Sequence, residues 1–239
     1  MSFSVVNDAA WAPGVQSRDA WLHWATNHHK ITGNTAPAVE SMPALLRRRA
    51  GFLGKMALEV AYKCLGSHSD VPVVFASRHG DTSRVIDLLL DLARSSSLSP
   101  TSFGLSVHNA IGGLFSIARS DRAGMMALAG GNSTIEYAVL EACSLLHEGA
   151  GLVLLVAYDC PLPPIYAVFA ESNEQPYAWA WLMRPPSDKF LTLCCSTCDV
   201  NSPETADPPG LEVLRFYLRQ DSRLERYSGG RKWLWTRGG

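Results

Sequence analysis

The sequence predicts an α/β fold built around a mainly parallel sheet, and three observations carry that prediction. Short β-branched and apolar runs alternate with longer segments whose apolar residues recur every three or four positions. One run, Leu152 to Ala157, is apolar at every position, as a central strand covered on both faces requires. With 239 residues, 47% of them hydrophobic, the chain is long enough for one α/β unit with a sizeable core.

The first 40 or so residues read as irregular, anchored by Trp11, Trp21 and Trp24, with Phe3 to Val6 as an edge or first strand. From Pro43 the spacing of Leu45, Leu46, Phe52, Leu53, Met56, Val60 and Leu65 predicts one long helix, with Pro43 in its first turn and Gly66 as its stop. Val71 to Ala76 is a buried strand. Asp81 or Thr82 caps the next helix, through Val85, Ile86, Leu89 and Leu92, which breaks at Ser95-Ser96-Ser97.

Residues 101–117 are mixed, with helical spacing from Ala110 onward. Met125 to Ala129 reads as a short strand ending at Gly130-Gly131, and Thr134 to His147 as a helix with Ile135, Ala138, Val139, Ala142 and Leu146 on one face. Tyr177 to Met183 and Phe190 to Cys195 are two further strands. Residues 201–210 are a polar linker, followed by a helix near Leu211 to Leu218 and an aromatic strand near Trp233 to Trp235. No internal repeat or low-complexity tract interrupts this order.

Composition narrows the function. A formal net charge of -1 leaves no global basic field for nucleic acid. No run reaches the roughly eighteen apolar residues of a membrane helix, and Asp8 falls where a signal peptide needs apolar residues. Six unevenly spread cysteines read as reduced thiols in a cytoplasm. No cofactor motif is present.

The informative stretch is Phe103 to Asp159: a loop with His108-Asn109-Ala110, a small-residue stretch, the strand ending in Ala129-Gly130-Gly131, a helix, and the strand GLVLLVAYD. In this order of elements the chain resembles the N-terminal half of the thiolase-like β-ketoacyl-acyl-carrier-protein synthases between about Pro43 and Asp159. It is most similar to the truncated ketosynthase-like proteins encoded beside aryl-polyene pathways. The resemblance implies half of a thiolase-like fold: a mainly parallel five-stranded sheet flanked by helices, with extra C-terminal strands. It also implies a single domain over residues 1–239, of which 200–239 form a C-terminal extension.

In that family a nucleophilic cysteine sits at the turn where the strand meets a buried helix, whose N-terminus stabilises a thiolate. Counting back from Glu141-Ala142, that position falls on Asn132, or on Ser133 if the register slips by one; neither is cysteine. Cys143 lies three helical turns further on, roughly 15 Å away, and reads as a small core residue. The family's synthases also use two histidines on glycine-rich loops of a C-terminal half. Residues 160–239 carry no such loop, and His108 matches neither histidine. The resemblance therefore implies a non-catalytic chain-length factor that pairs with an active β-ketoacyl-ACP synthase and meets an acyl carrier protein transiently. By the same resemblance Met125, Met126, Ala127, Leu128 and Ala129 pair edge to edge with the partner. Phe103, Val107, Ile111 and Phe115 line the acyl tunnel, with plain core packing as their alternative.

Other features have plainer readings. Ser133 in GGNST has part of a hydrolase nucleophile elbow, but Ile135 replaces the second glycine, so it reads as a helix cap. A stand-alone acyltransferase or hydrolase using Ser133 is the rival function, and a structural scaffold a third. Cys195 and Cys198, with Cys194 adjacent, lack the second ligand pair of a zinc site. His23, His28 and His29 read as a solvated loop, and Arg47, Arg48 and Arg49 as a solvated face or a carrier-docking surface.

Overall fold

The computed structural model describes residues 1–198 and 207–239, so residues 201–206 of the expected linker lie outside the described residues. In chain order the elements are β1 (Ser2–Trp11), α1 (Arg18–Thr26), α2 (Ala44–Arg47), α3 (Phe52–Leu65), β2 (Val73–Ala76), α4 (Thr82–Ala93), α5 (Pro100–Gly104), α6 (Ala110–Arg119) and β3 (Met125–Leu128). There follow α7 (Thr134–His147), β4 (Val153–Asp159), β5 (Tyr177–Arg184), β6 (Phe190–Thr197), α8 (Pro209–Arg219), β7 (Arg223–Ser228) and β8 (Arg231–Gly238). The strands form one sheet of eight, ordered β3-β2-β4-β5-β1-β6-β8-β7.

Pairing by pairing the sheet is mixed. β2 runs parallel to β3 and β4, while β5 runs antiparallel to both β4 and β1. The five strands β3-β2-β4-β5-β1 therefore share one direction except for β5, which is the expected mainly parallel unit. β6, β8 and β7 extend it antiparallel beyond β1.

Strand alternation decides the layers. Val74, Ala76, Val153, Leu155 and Ala157 turn one face of the sheet toward a core with Ile135, Ala138 and Val139 of α7, Leu211 and Leu214 of α8, and Trp21 and Trp24 of α1. Val73, Phe75, Leu154, Val156 and Tyr158 turn the other face toward Met56, Ala57 and Val60 of α3 and Leu114 and Phe115 of α6. A strand feeding two cores must be apolar at every position, which is what the run through β4 expresses. β5 makes the same division by size: Trp179 and Trp181 enter one core, Ala178 and Ala180 the other.

Several expectations change. The region before residue 40 is not irregular throughout: β1 is a ten-residue interior strand rather than an edge. Asn7 and Asp8 lie within it, and each has a partner. Asn7 donates to the Cys64 carbonyl at 2.7 Å, and Asp8 accepts from Tyr217 at 3.0 Å and Arg18 at 2.5 Å. The long helix from Pro43 is two helices, because the chain extends at Gly51 before α3 begins. Gly66 ends α3 with φ +57, a positive value that glycine adopts without strain. Pro209 and Gly210, read as linker, are the first turn of α8. The hairpin strand β7 was not anticipated, and the aromatic strand is longer than Trp233 to Trp235.

α4 differs from the other long helices: none of its residues is buried. Leu89, Leu90 and Leu92, with Leu98, Phe103 and Val107 beyond, form an exposed apolar arm on the side of the chain that carries α5. Among the described residues no helix is long and apolar enough to cross a membrane.

Candidate functional site

β2, β3 and β4 lie side by side and parallel, so their C-terminal ends open on one edge of the sheet, where α/β folds place their ligands. Here β3 ends at Leu128, the chain turns through Gly130 and Gly131, and a 3-10 turn (Gly131–Ser133) leads into α7. Both glycines are needed. Gly131 has φ +59, and a Cβ on Gly130 would sit 2.5 Å from the Tyr137 ring. The Thr134 hydroxyl secures the turn, accepting from Gly130 N at 2.9 Å and donating to the Gly131 carbonyl at 2.7 Å.

Asn132 projects from this turn and is fully engaged. Its side-chain oxygen accepts from Arg78 at 2.5 Å, its amide donates to Glu171, and its own carbonyl accepts from Arg226 at 3.2 Å. Arg78 also pairs with Glu171 at 2.9 Å. An amide so placed has no proton to lose near neutral pH and no free electron pair on nitrogen, so it cannot take up an acyl group.

Ser133 is 3% exposed and accepts a hydrogen bond from Trp233 at 2.9 Å. Its hydroxyl makes no capping bond to α7, contrary to the expectation; Thr134 supplies the local hydroxyl instead. No imidazole bonds to Ser133, so no general base is in place to activate it. Cys143 lies in the core as expected, and burial pushes its thiol up to about 11.

A small cleft beside the turn is lined by Arg78, His79, Asp159, Cys160, Glu174 and Tyr177, among others. Asp159, at the end of β4, accepts from Ser77 Oγ at 2.8 Å and from the amides of Arg78 and His79 at 3.0 and 3.2 Å. Burial raises its carboxyl above the usual range against the pull of those donors. His79 Nε2 meets Glu174 at 2.9 Å, and Glu174 also accepts from Leu162 N at 2.6 Å. Burial alone would raise Glu174, but these bonds and the nearby charges of His79 and Arg78 hold it below the usual range. The Cys160 thiol is pushed far up by burial and by the charges of Asp159 and Asp81, which disfavours its thiolate.

Behind the turn lies a buried ionic cluster. Arg226 of β7 pairs with Glu136 in the first turn of α7 and with Glu212 in the first turn of α8, the latter at 2.8 Å. Burial raises the Glu212 carboxyl against the attraction of Arg226.

The other predicted residues are divided. Met125 to Leu128 form β3, the outermost strand; Ala129 falls just beyond it. Met126 is 41% exposed on that edge. Phe103 and Val107 are exposed on and after α5. Ile111 is half-buried against Gly54, and Phe115 is a core residue stacked between Tyr62 and Phe75. The four do not line one cavity within this chain. His108 donates to or accepts from nothing catalytic; its Nε2 meets the Leu128 carbonyl at 3.1 Å, at the end of β3.

Arg48 and Arg49 are exposed, whereas Arg47 reaches back to the Val39 carbonyl at 3.3 Å. His28 is not free in its loop: it pairs with Asp207 at 3.1 Å. Among the described residues no three His, Cys, Asp or Glu side chains are placed to hold a metal. Arg78, His79, Asp159, Glu174 and Arg226 went unrecognised in the sequence. The available signal for the first three was polarity directly after an apolar strand.

The family model for β-ketoacyl synthase, N-terminal domain, matches residues 21–236. The fold is that of solved ketosynthases. A chain in the complex of a ketosynthase with its chain length factor from Xenorhabdus doucetiae superposes with a TM-score of 0.86 at 24% identity, covering 99% of both chains. A type II polyketide synthase acyl-carrier protein in complex with its ketosynthase gives a TM-score of 0.71 at 9% identity, covering 100% of this chain and 99% of that one. The ishigamide ketosynthase/chain length factor gives 0.65 at 14% identity, covering 83% and 68%. Among curated protein sequences, none matches.

Proposed function

The chain belongs to the β-ketoacyl synthase N-terminal domain family, and on that premise we propose that it is a non-catalytic, chain-length-factor-like subunit. It pairs with an active β-ketoacyl-ACP synthase in type II polyketide or aryl-polyene biosynthesis, completes the acyl tunnel and limits chain length. The carrying observation is Asn132: the turn between β3 and α7 is intact, yet the side chain at its apex is an amide, held by Arg78 at its oxygen and by Glu171 at its nitrogen.

Supporting it, β3 is an open edge and the arm beside it exposes Leu89, Leu92, Phe103 and Val107, a surface of the kind an obligate partner covers. An acyl carrier protein is a transient partner in the same reading, and the compartment is the cytoplasm. One domain spans the chain, with residues 200–239 its C-terminal extension. In support, a single core cluster runs from Phe3 to Trp235. The burial of Ser133 weighs against a stand-alone hydrolase or acyltransferase.

Co-expression with a candidate partner ketosynthase, followed by size-exclusion chromatography, tests the reading. Co-elution as a heteromer, with the isolated chain poorly soluble, is the expected result. A well-behaved monomer with no affinity for a ketosynthase overturns it.

A further inference from the structure

Between β4 and β5 the chain makes a long excursion over the C-terminal ends of β2 and β3. Its 3-10 segment, Pro164–Phe169, is not packed: Ile165, Val168 and Phe169 are 68%, 82% and 65% exposed. A loop with three large apolar groups in water has no hydrophobic reason to hold its position. What holds it is polar and sits at its two ends. Near its start and end, Leu162 N donates to Glu174, which His79 also engages. Just past the exposed segment, Glu171 receives both the Arg78 guanidinium and the Asn132 amide.

We propose that Asn132, with Arg78, is a latch that holds the loop of residues 160–171 against the end of the sheet and so fixes where Ile165, Val168 and Phe169 are presented. The chemistry suits an amide and nothing else of that size. Arg78 and Glu171 already meet as an ion pair, and Asn132 closes the triangle, accepting from the one and donating to the other from a single planar group. Its backbone does not move with the loop, because Arg226 holds its carbonyl and the Thr134 hydroxyl holds the turn. In this reading Asn132, one of the two residues to which the resemblance assigns the former nucleophile position, has a mechanical role. Glu171 is 56% exposed, so the latch closes on the surface and can open without disturbing either core.

Hydrogen exchange read by mass spectrometry on the purified chain, alone or with its partner, tests this without requiring any activity. Asn132→Ala removes both bonds, and Asn132→Asp keeps the Arg78 contact but sets a carboxylate against Glu171. Each is expected to speed exchange of the amides in 162–172 by about tenfold, the effect of losing one or two charge-assisted bonds, while amides of β2, β4 and α7 keep their rates. Combining Asn132→Asp with Glu171→Gln restores the donor–acceptor match with the roles exchanged, and is expected to return the loop to its original protection. Unchanged exchange in both single variants overturns the latch. So does accelerated exchange that the double variant fails to reverse, or that spreads through α7, since either marks general damage to the turn.

Discussion

Trp233, on β8, donates its indole N–H to the Ser133 hydroxyl at 2.9 Å across 100 positions of sequence, and both side chains are buried. The serine that looks like a nucleophile in the sequence is therefore a structural acceptor. Ser133→Ala leaves a buried N–H without a partner, at a cost of about 1–3 kcal/mol. The expected outcome is a lowered melting temperature by scanning fluorimetry, with turnover of the complex within a few-fold of wild type. Loss of turnover with pairing intact would support the enzyme reading instead.

Arg226→Met strips the counter-charge from Glu136, which is fully buried, and from Glu212. A broken buried pair of this kind costs about 3–5 kcal/mol, so the urea midpoint falls or soluble chain is lost. Adding Glu136→Leu removes the stranded charge and recovers a large part of that loss. A single variant as stable as wild type contradicts the assignment.

Acid sensitivity follows from Glu174. Its carboxyl titrates below the usual value in the folded chain, so the stability it contributes is complete above the unfolded value of roughly 4.3 and drains away as pH falls through the lower folded value. Glu174→Gln is expected to flatten the acid limb of stability against pH by up to one proton. An unchanged slope would show that the His79 and Leu162 contacts do not perturb it.

Pairing through β3 makes a directional prediction. Gly124 and Leu128 give their carbonyls to β2, at 2.9 and 3.2 Å, so Met125 and Ala127 point their backbone groups to the free edge. Ala127→Pro removes one outward N–H without touching the bonds to β2. Normal folding by circular dichroism, with co-elution with the ketosynthase lost, is the expected pair of results; retained co-elution would move the interface elsewhere.

Length control separates the four proposed tunnel residues. Phe103 and Val107 are exposed; if they face the partner's tunnel as proposed, Val107→Trp is expected to shift products toward fewer double bonds and Phe103→Ala toward more, read by mass spectrometry of carrier-bound intermediates. Phe115→Ala removes a core ring and costs about 3–5 kcal/mol in stability, without a specific change in length. An unchanged distribution in the two exposed variants, with turnover preserved, would rule them out as the ruler.

The sequence by itself determined the elements whose signal is local. Thr134 to His147 is α7 as its period predicts, Leu152 to Ala157 lies within one residue of the start of β4, and Gly130-Gly131 marks the turn. That the turn after β3 carries Asn132 and Ser133 and no cysteine was equally legible, because the identity of a residue needs no structure. Tertiary structure alone decided what pairs with what. Asn7 and Asp8 are carried inside β1 by Cys64, Tyr217 and Arg18, which lie 57, 209 and 10 positions away. Glu136 is buried in the first turn of α7 because Arg226 arrives from 90 positions away to pair with it. Ile111 and Phe115 share one helical spacing with Val107, yet only Phe115 is fully in the core. Periodicity reports which side of an element is apolar; it carries no record of which distant polar group will lie opposite, and in this chain the candidate site is made of such pairs.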